Sequence, residues 1–253
     1  MIYGYLQIPL WIITMIEPFK NLVITTKILS LIAELDEFKG SWKALGQLAP
    51  ERLLALRKIA TIESIASSTR IEGVRLTDEE VERLLSGLQV YSFRSRDEQE
   101  VAGYAEVMDL IFEAYTQIQL TENNLKYLHG LLLKFSDKDE FHRGHYKKLT
   151  NHVEAFSPDG ESLGVIFETA SPFNTPFRME ELINWVQSTL EEKEYHPLLT
   201  IAIFVLRLLA IHPFQDGNGR LSRAITTLLL LQSGYEYVPY SSLERVVEEN
   251  KDN

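Results

Sequence analysis

The sequence contains no cysteine, which excludes disulfides and thiolate metal sites and fits a reducing, cytoplasmic setting. Basic side chains are also in short supply. With 25 Lys and Arg against 36 Asp and Glu the formal charge is −11, so the overall field repels nucleic acid and anionic membranes. Direct nucleic-acid binding is therefore not expected, and any phosphate chemistry must rest on a local basic cluster. Long hydrophobic runs are missing as well. Residues 1–16 are mostly apolar but carry Gln7 and Pro9, lack a basic start, and meet Glu17-Pro18 where a signal peptide would be cleaved. They are too short to span a bilayer. They read as an apolar arm packing on the domain, or as an extension upstream of a start near Met15. No repeat, linker or low-complexity block divides the chain.

What is present is mostly helical. Apolar positions recur at three- and four-residue spacing over 21–38, 49–70, 98–118, 121–135, 178–193 and 197–211. Thr77-Asp78-Glu79-Glu80 forms a capping box that opens a helix to about residue 88, and Pro197 suits a first helical turn. Residues 151–169 differ: two β-prone runs flank Ser157-Pro158-Asp159-Gly160, a turn sequence that predicts a hairpin. The expected fold is an all-α helical bundle carrying one small β-hairpin. It divides into an N-terminal helical region, 1–95, and a core, 96–253, within one compact unit.

Chemistry concentrates in HPFQDGNGRLSR, residues 212–223. The run before it, 198–211, is apolar on nearly every face, as for a central buried helix, and Pro213 cannot continue that helix. Helical periodicity resumes from Leu221 to Leu231. Gln215 to Gly219 therefore form a turn opening a second helix, where Gly217 and Gly219 allow backbone N–H groups to point inward as an anion nest. Arg220 and Arg223, three apart, share a face suited to a polyphosphate. Asp216 offers a hard oxygen for Mg²⁺. His212, with an ordinary pKa of about 6.5, suits a general base. A plain helix-turn-helix corner accounts for any one of these residues, but poorly for all of them together.

In order and spacing the stretch resembles, position for position, the HxFx(D/E)GNGRxxR signature of the Fic-domain family, helical proteins whose typical members transfer AMP from ATP to a protein hydroxyl. The resemblance implies that His212 deprotonates the target Ser, Thr or Tyr and that Phe214 anchors the loop. Asp216 would bind Mg²⁺, and Gly217, Asn218 and Gly219 would wrap the α- and β-phosphates of ATP. Arg220 would also contact phosphate, and Arg223 would take the γ-phosphate. Gly219 stands where the related Doc toxins, which phosphorylate, have lysine. Upstream, Ser68, Glu72 and Gly73 in SSTRIEG resemble the family's inhibitory motif (S/T)xxxE(G/N). Ser68 and Glu72 lie one turn apart, and Gly73 suits the left-handed residue that ends a helix. Glu72 could then pair with Arg223 and deny it to the γ-phosphate, as in the class with an N-terminal inhibitory helix.

By the same comparison the hairpin, about 151–170, is a flap that binds an extended target segment by strand addition, and Arg143-Gly144-His145-Tyr146 resembles its approach. The resemblance spans about residues 60–240. No winged-helix segment follows it, so that module is lacking or the sequence is truncated. Three functions follow: an adenylyltransferase held off by Glu72, acting on a partner or on itself; the reverse reaction, with Glu72 positioning water to remove AMP; and a non-catalytic nucleotide-binding regulator. A homodimer is compatible with the sequence, though no surface marks one. His142, His145 and His152 read as surface or packing residues, Trp11, Trp42 and Trp185 as core or rim, and Glu191 to Glu194 as a solvated helix end.

Overall fold

A computed structural model describes residues 22–45, 50–87, 93–156 and 162–250. The apolar arm, Trp11 and the Ser157–Gly160 turn lie outside the described residues. Nine α-helices occur among those described: α1 Thr26–Leu45, α2 Pro50–Ile71, α3 Asp78–Ser86, α4 Arg96–Ala114, α5 Glu122–Leu132, α6 Thr175–Glu192, α7 Pro197–Ile211, α8 Asn218–Gln232 and α9 Leu243–Asn250. Strands β1 Val153–Phe156 and β2 Ser162–Phe167 pair antiparallel between α5 and α6. Gly164, at φ +113°, accompanies a register shift in that ladder, as a bulge requires.

Local chemistry sets most boundaries. The Thr77 hydroxyl accepts from the Glu80 N–H while the Glu80 carboxylate accepts from the Thr77 N–H, so the capping box opens α3. The Ser95 and Thr121 hydroxyls cap α4 and α5 by accepting from the Glu98 and Asn124 N–H groups, without the reciprocal bond. Helix α4 stops at Ala114, short of the expected 118, because the Gln117 and Ile118 N–H groups both turn back to the Ala114 carbonyl. Helix α1 runs past the expected 38 to Leu45. Its extension is held by aromatic contacts, with Phe38 4.8 Å from Tyr237 and Trp42 5.0 Å from Tyr240 between ring centroids. Helix α9 was not expected.

The core is built from one face each of α4, α5, α6, α7 and α8, with Tyr104, Met108, Leu128, Met179, Phe204 and Leu228 fully buried in it. α7 packs against both α6 and α8, which places His212 at the inner end of the bundle. No helix among the described residues is long and apolar enough to cross a membrane. The α4–α5 crossing is tight at Gly103, where an added Cβ would stand 2.0 Å from the Leu132 carbonyl oxygen. A backbone oxygen cannot swing away, so Gly103→Ala must part the two helices. We expect a loss of about 3 kcal/mol or more, a fall in Tm of roughly 6–12 °C by calorimetry. An unchanged Tm would mean that the helices do not meet this closely.

Candidate active site

His212 caps α7 in the left-handed conformation, φ 52°, ψ 61°, which a non-glycine residue rarely adopts and which recurs at functional sites. Its Nδ1 lies 3.2 Å from the Leu209 carbonyl oxygen. A carbonyl can only accept, so Nδ1 carries the proton and Nε2 is left with its lone pair. Burial pushes the His212 pKa down and Lys147 adds to this, against the Leu209 carbonyl, Glu72 and Asp216; the net shift is downward. The imidazole is therefore neutral near pH 7.

The loop after it is closed by its own polar groups. Asn218 Oδ1 accepts from the Phe214 N–H at 2.9 Å and its Nδ2 donates to the Phe214 carbonyl at 2.8 Å. Phe214 is fully buried and stacks on His129, centroids 3.8 Å apart. The Gly144 N–H donates to His129 Nδ1, which fixes the proton on Nε2, and that nitrogen donates to the Asp216 carbonyl, each at 3.0 Å. Burial lowers the His129 pKa to about 4, so the ring serves as a neutral strut.

Gly217, at φ 78°, then opens α8 with no side-chain cap on its first turn. The leading N–H groups of an α-helix have no partner within it and carry its positive dipole end, so this terminus is built to receive an anion. One anion already stands there. A Cβ on Gly219 would be 2.2 Å from Glu72 Oε1, so the Glu72 carboxylate lies directly on the first turn of α8. Arg223 Nη2 donates to Glu72 Oε1 and to the Ser68 carbonyl, each at 2.8 Å, and Nε to the Ser68 hydroxyl at 2.7 Å. Gly73, at φ 99°, ends the turn that presents Glu72.

The sequence-predicted residues His212, Asp216, Gly217, Asn218, Gly219, Arg223, Ser68, Glu72 and Gly73 thus converge. Arg220 differs from expectation. It does not stand beside Arg223 but turns inward, 2% exposed, onto Glu100 at 2.9 Å, with Asp216 Oδ1 at 3.4 Å. A guanidinium this deeply buried requires a carboxylate partner, and Glu100 supplies it. The Asn218 side chain likewise holds the loop, leaving its backbone N–H for any phosphate. Burial would raise the Asp216 pKa, but Arg220, the Gly217 N–H, Lys138 and Arg96 outweigh it and hold the group below the usual carboxylate range.

Sequence reasoning passed over four contributors. His129 left a readable signal, a histidine within the buried Leu125, Leu128 and Leu132 stripe of α5. Glu100 and Lys147 left none, while α9 left a short one, Leu243, Val246 and Val247 at helical spacing after Ser242. Helix α9 lies along α2: Glu248 binds the Arg70 guanidinium through two oxygens at 2.7 and 3.0 Å, and buried Glu244 accepts from the Tyr104 hydroxyl at 3.3 Å. Arg245 pairs with Asp78 from the same helix. The segment bearing Ser68 and Glu72 is therefore held from both sides.

Comparison with known proteins agrees with this geometry. Residues 119–230 match the Fic/DOC family. Protein adenylyltransferase Fic of Drosophila grimshawi is 27% identical over 226 residues, 87% of this chain and 44% of that protein. The chain thus spans less than half the length of the curated relatives it matches. A Fic family protein from Desulfovibrio desulfuricans has a solved structure that superposes with a TM-score of 0.71 at 27% identity, covering 91% of this chain and 65% of that one. A Fic-domain signaling protein from Bacteroides thetaiotaomicron gives a TM-score of 0.68 at 26% identity, covering 88% and 79%. Residues 119–230 thus match the Fic/DOC family, and the fold is similar to that of solved Fic-family structures.

Proposed function

We propose that the protein transfers AMP from Mg-ATP to a hydroxyl of a target protein and that Glu72 holds the reaction in check. The observation that carries this reading is the neutral His212, its Nε2 free to accept a proton, five residues before a helix terminus with no side-chain cap, a setting suited to an anion. The name of the Drosophila relatives, protein adenylyltransferase, supports it. His212 Nε2 takes the proton of the target hydroxyl as its oxygen bonds to the α-phosphorus. The bond from that phosphorus to the bridging oxygen breaks, and pyrophosphate leaves. The N–H groups of α8 hold the charge that develops on the phosphates, and Arg223 holds the γ-phosphate once Glu72 has withdrawn.

Among the described residues no three His, Asp or Glu side chains cluster as a metal cage. Mg²⁺ needs no such cage, since it binds through one or two carboxylates and completes its shell with water and substrate phosphate. Asp216 Oδ2, 3.7 Å from Arg96 and 3.8 Å from Lys138, would be the oxygen that holds it. The ion would supply charge neutralisation to the triphosphate. Target binding would use the flap, since among the described residues the β1–β2 pair has no third strand and its edges offer unpaired backbone groups. The target is a partner or the chain itself, including a second copy in a homodimer. In this reading residues 1–95 carry the control and 96–253 the catalysis, in a cytoplasmic setting.

The test uses protein with Glu72 replaced by glycine. Label on the α-phosphate of ATP should enter protein, and label on the γ-phosphate should not. Entry of γ label would mean phosphoryl transfer, and entry of neither would remove the proposal. The pH profile follows from the sign of the His212 shift. Transfer needs neutral imidazole, and the pKa is depressed, so the labelling rate should persist as pH falls through 6.5 and decline only below it. Initial rates between pH 5 and 8 check this; a decline centred above 6.5 would contradict the environment described for His212.

A further inference from the structure

Lys147 is 3% exposed on the approach to β1, yet its three acceptors are neutral oxygens. Nζ donates to Asn151 Oδ1 at 2.7 Å, Thr169 Oγ1 at 2.8 Å and the Ile211 carbonyl at 3.1 Å. Its backbone N–H donates to the Pro213 carbonyl at 2.8 Å. Asn151 extends the contact, its Nδ2 lying 2.7 Å from the Phe214 carbonyl and 3.4 Å from that of His212. Asn151 just precedes β1 and Thr169 just follows β2. Both feet of the hairpin and the Ile211 carbonyl therefore meet at one ammonium, while the Lys147 N–H and the Asn151 amide take the carbonyls of the next three residues.

Burying an ammonium without a carboxylate is costly. Desolvation draws the Lys147 pKa down to about 8. An apolar chain of similar length would fill the space without that penalty, so packing alone does not explain a charge here. What the charge provides is a joint: three acceptors from three segments can be satisfied together in only one relative placement.

We propose that Lys147 is a positioning residue that fixes the flap relative to His212, so that a hydroxyl carried on a flap-bound strand arrives at Nε2. The inference rests on the transfer reading above. A misplacement of about 1 Å at a reacting pair costs about 10²-fold in rate, and the joint sits between the two elements that must bring that pair together. Its charge also reaches the base. Of the charged groups around His212, Lys147 opposes protonation, while Glu72 from the turn after α2 and Asp216 from the loop favour it.

The experiment measures self-labelling from ATP labelled at the α-phosphate, in full-length Glu72→Gly protein alone and combined with Lys147→Met, Lys147→Arg or Asn151→Ala. With Lys147→Met the rate should fall by about 10²-fold at unchanged KM for ATP, and the acid limb of the pH profile should move to higher pH. Lys147→Arg keeps the charge and should return the limb to its place with part of the rate. Asn151→Ala frees one foot and should lower the rate with the limb unmoved. If Lys147→Met fails to fold, as judged by its melting curve, Asn151→Ala carries the test, and a rate equal to that of its parent overturns the proposal. Lys147→Met matching its parent in rate and limb also overturns it, as does a loss accounted for by the folded fraction with the limb unmoved. Absence of label in Glu72→Gly alone would remove the transfer reading and this inference with it.

Discussion

Replacing Glu72 by glycine is expected to raise incorporation of the α-phosphate label by about 10- to 50-fold over the wild-type chain. The magnitude comes from what must be broken for ATP to seat. Arg223 Nη2 to Glu72 Oε1, at 2.8 Å, is a hydrogen bond between charges, of a kind worth about 1.5–3 kcal/mol. The Glu72 side chain keeps 34% of its surface exposed, and water screening places the pair toward the lower end. Removing the carboxylate also clears the first turn of α8, where its oxygen occupies the place that a side chain at Gly219 would take. Arg223 remains held by the Ser68 hydroxyl and carbonyl, so it keeps its place and becomes available. Because Glu72 and the γ-phosphate compete for one guanidinium, the same variant should bind ATP more tightly by a similar factor. Labelling no higher than wild type, with ATP binding unchanged, would mean that Glu72 does not compete with the nucleotide.

That pairing could be anticipated because each half is a short contiguous motif that resembles a Fic-family motif, and the resemblance implies the contact between them. Ser68 and Glu72 are one turn apart on one helix, and HPFQDGNGRLSR carries its base, acid and glycines in twelve successive positions. What could not be anticipated depends on partners distant in the chain. Arg220 and Arg223 share a helix, but the inward turn of Arg220 is decided by Glu100, 120 residues earlier. The Lys147 joint closes onto a carbonyl 64 residues later, and nothing in the local sequence marks it. Helix α9 escaped for another reason. Its buried contact is a glutamate, Glu244, and its ties to α2 and to the α3 N-terminus are ion pairs of Glu248 and Arg245, while its apolar pattern, Leu243, Val246 and Val247, spans too few residues to stand out. The helical bundle itself was legible because α7 is apolar on most of its surface and its neighbours are amphipathic. Helix ends were less so, since α4 and α1 stop where tertiary contacts and turn-back hydrogen bonds dictate.

In the Glu72→Gly background, removing the imidazole of His212 should lower labelling by about 10²- to 10⁴-fold, the range for loss of a positioned general base. The choice of replacement matters because His212 sits at φ 52°. Alanine in that left-handed conformation adds a backbone cost of roughly 1–2 kcal/mol, so a loss of activity in His212→Ala mixes chemistry with displacement of the loop. Asparagine tolerates the same backbone, and its side-chain amide can donate toward the Leu209 carbonyl in place of Nδ1, yet it has no nitrogen able to take up a proton near pH 7. His212→Asn should therefore melt closer to the parent than His212→Ala does, bind ATP like the parent, and still lose transfer to the same extent. Loss in alanine with activity retained in asparagine would show that the site needs the left-handed cap rather than a base. Loss in both, with nucleotide binding intact, would place proton transfer at Nε2, the nitrogen left basic by the Leu209 hydrogen bond.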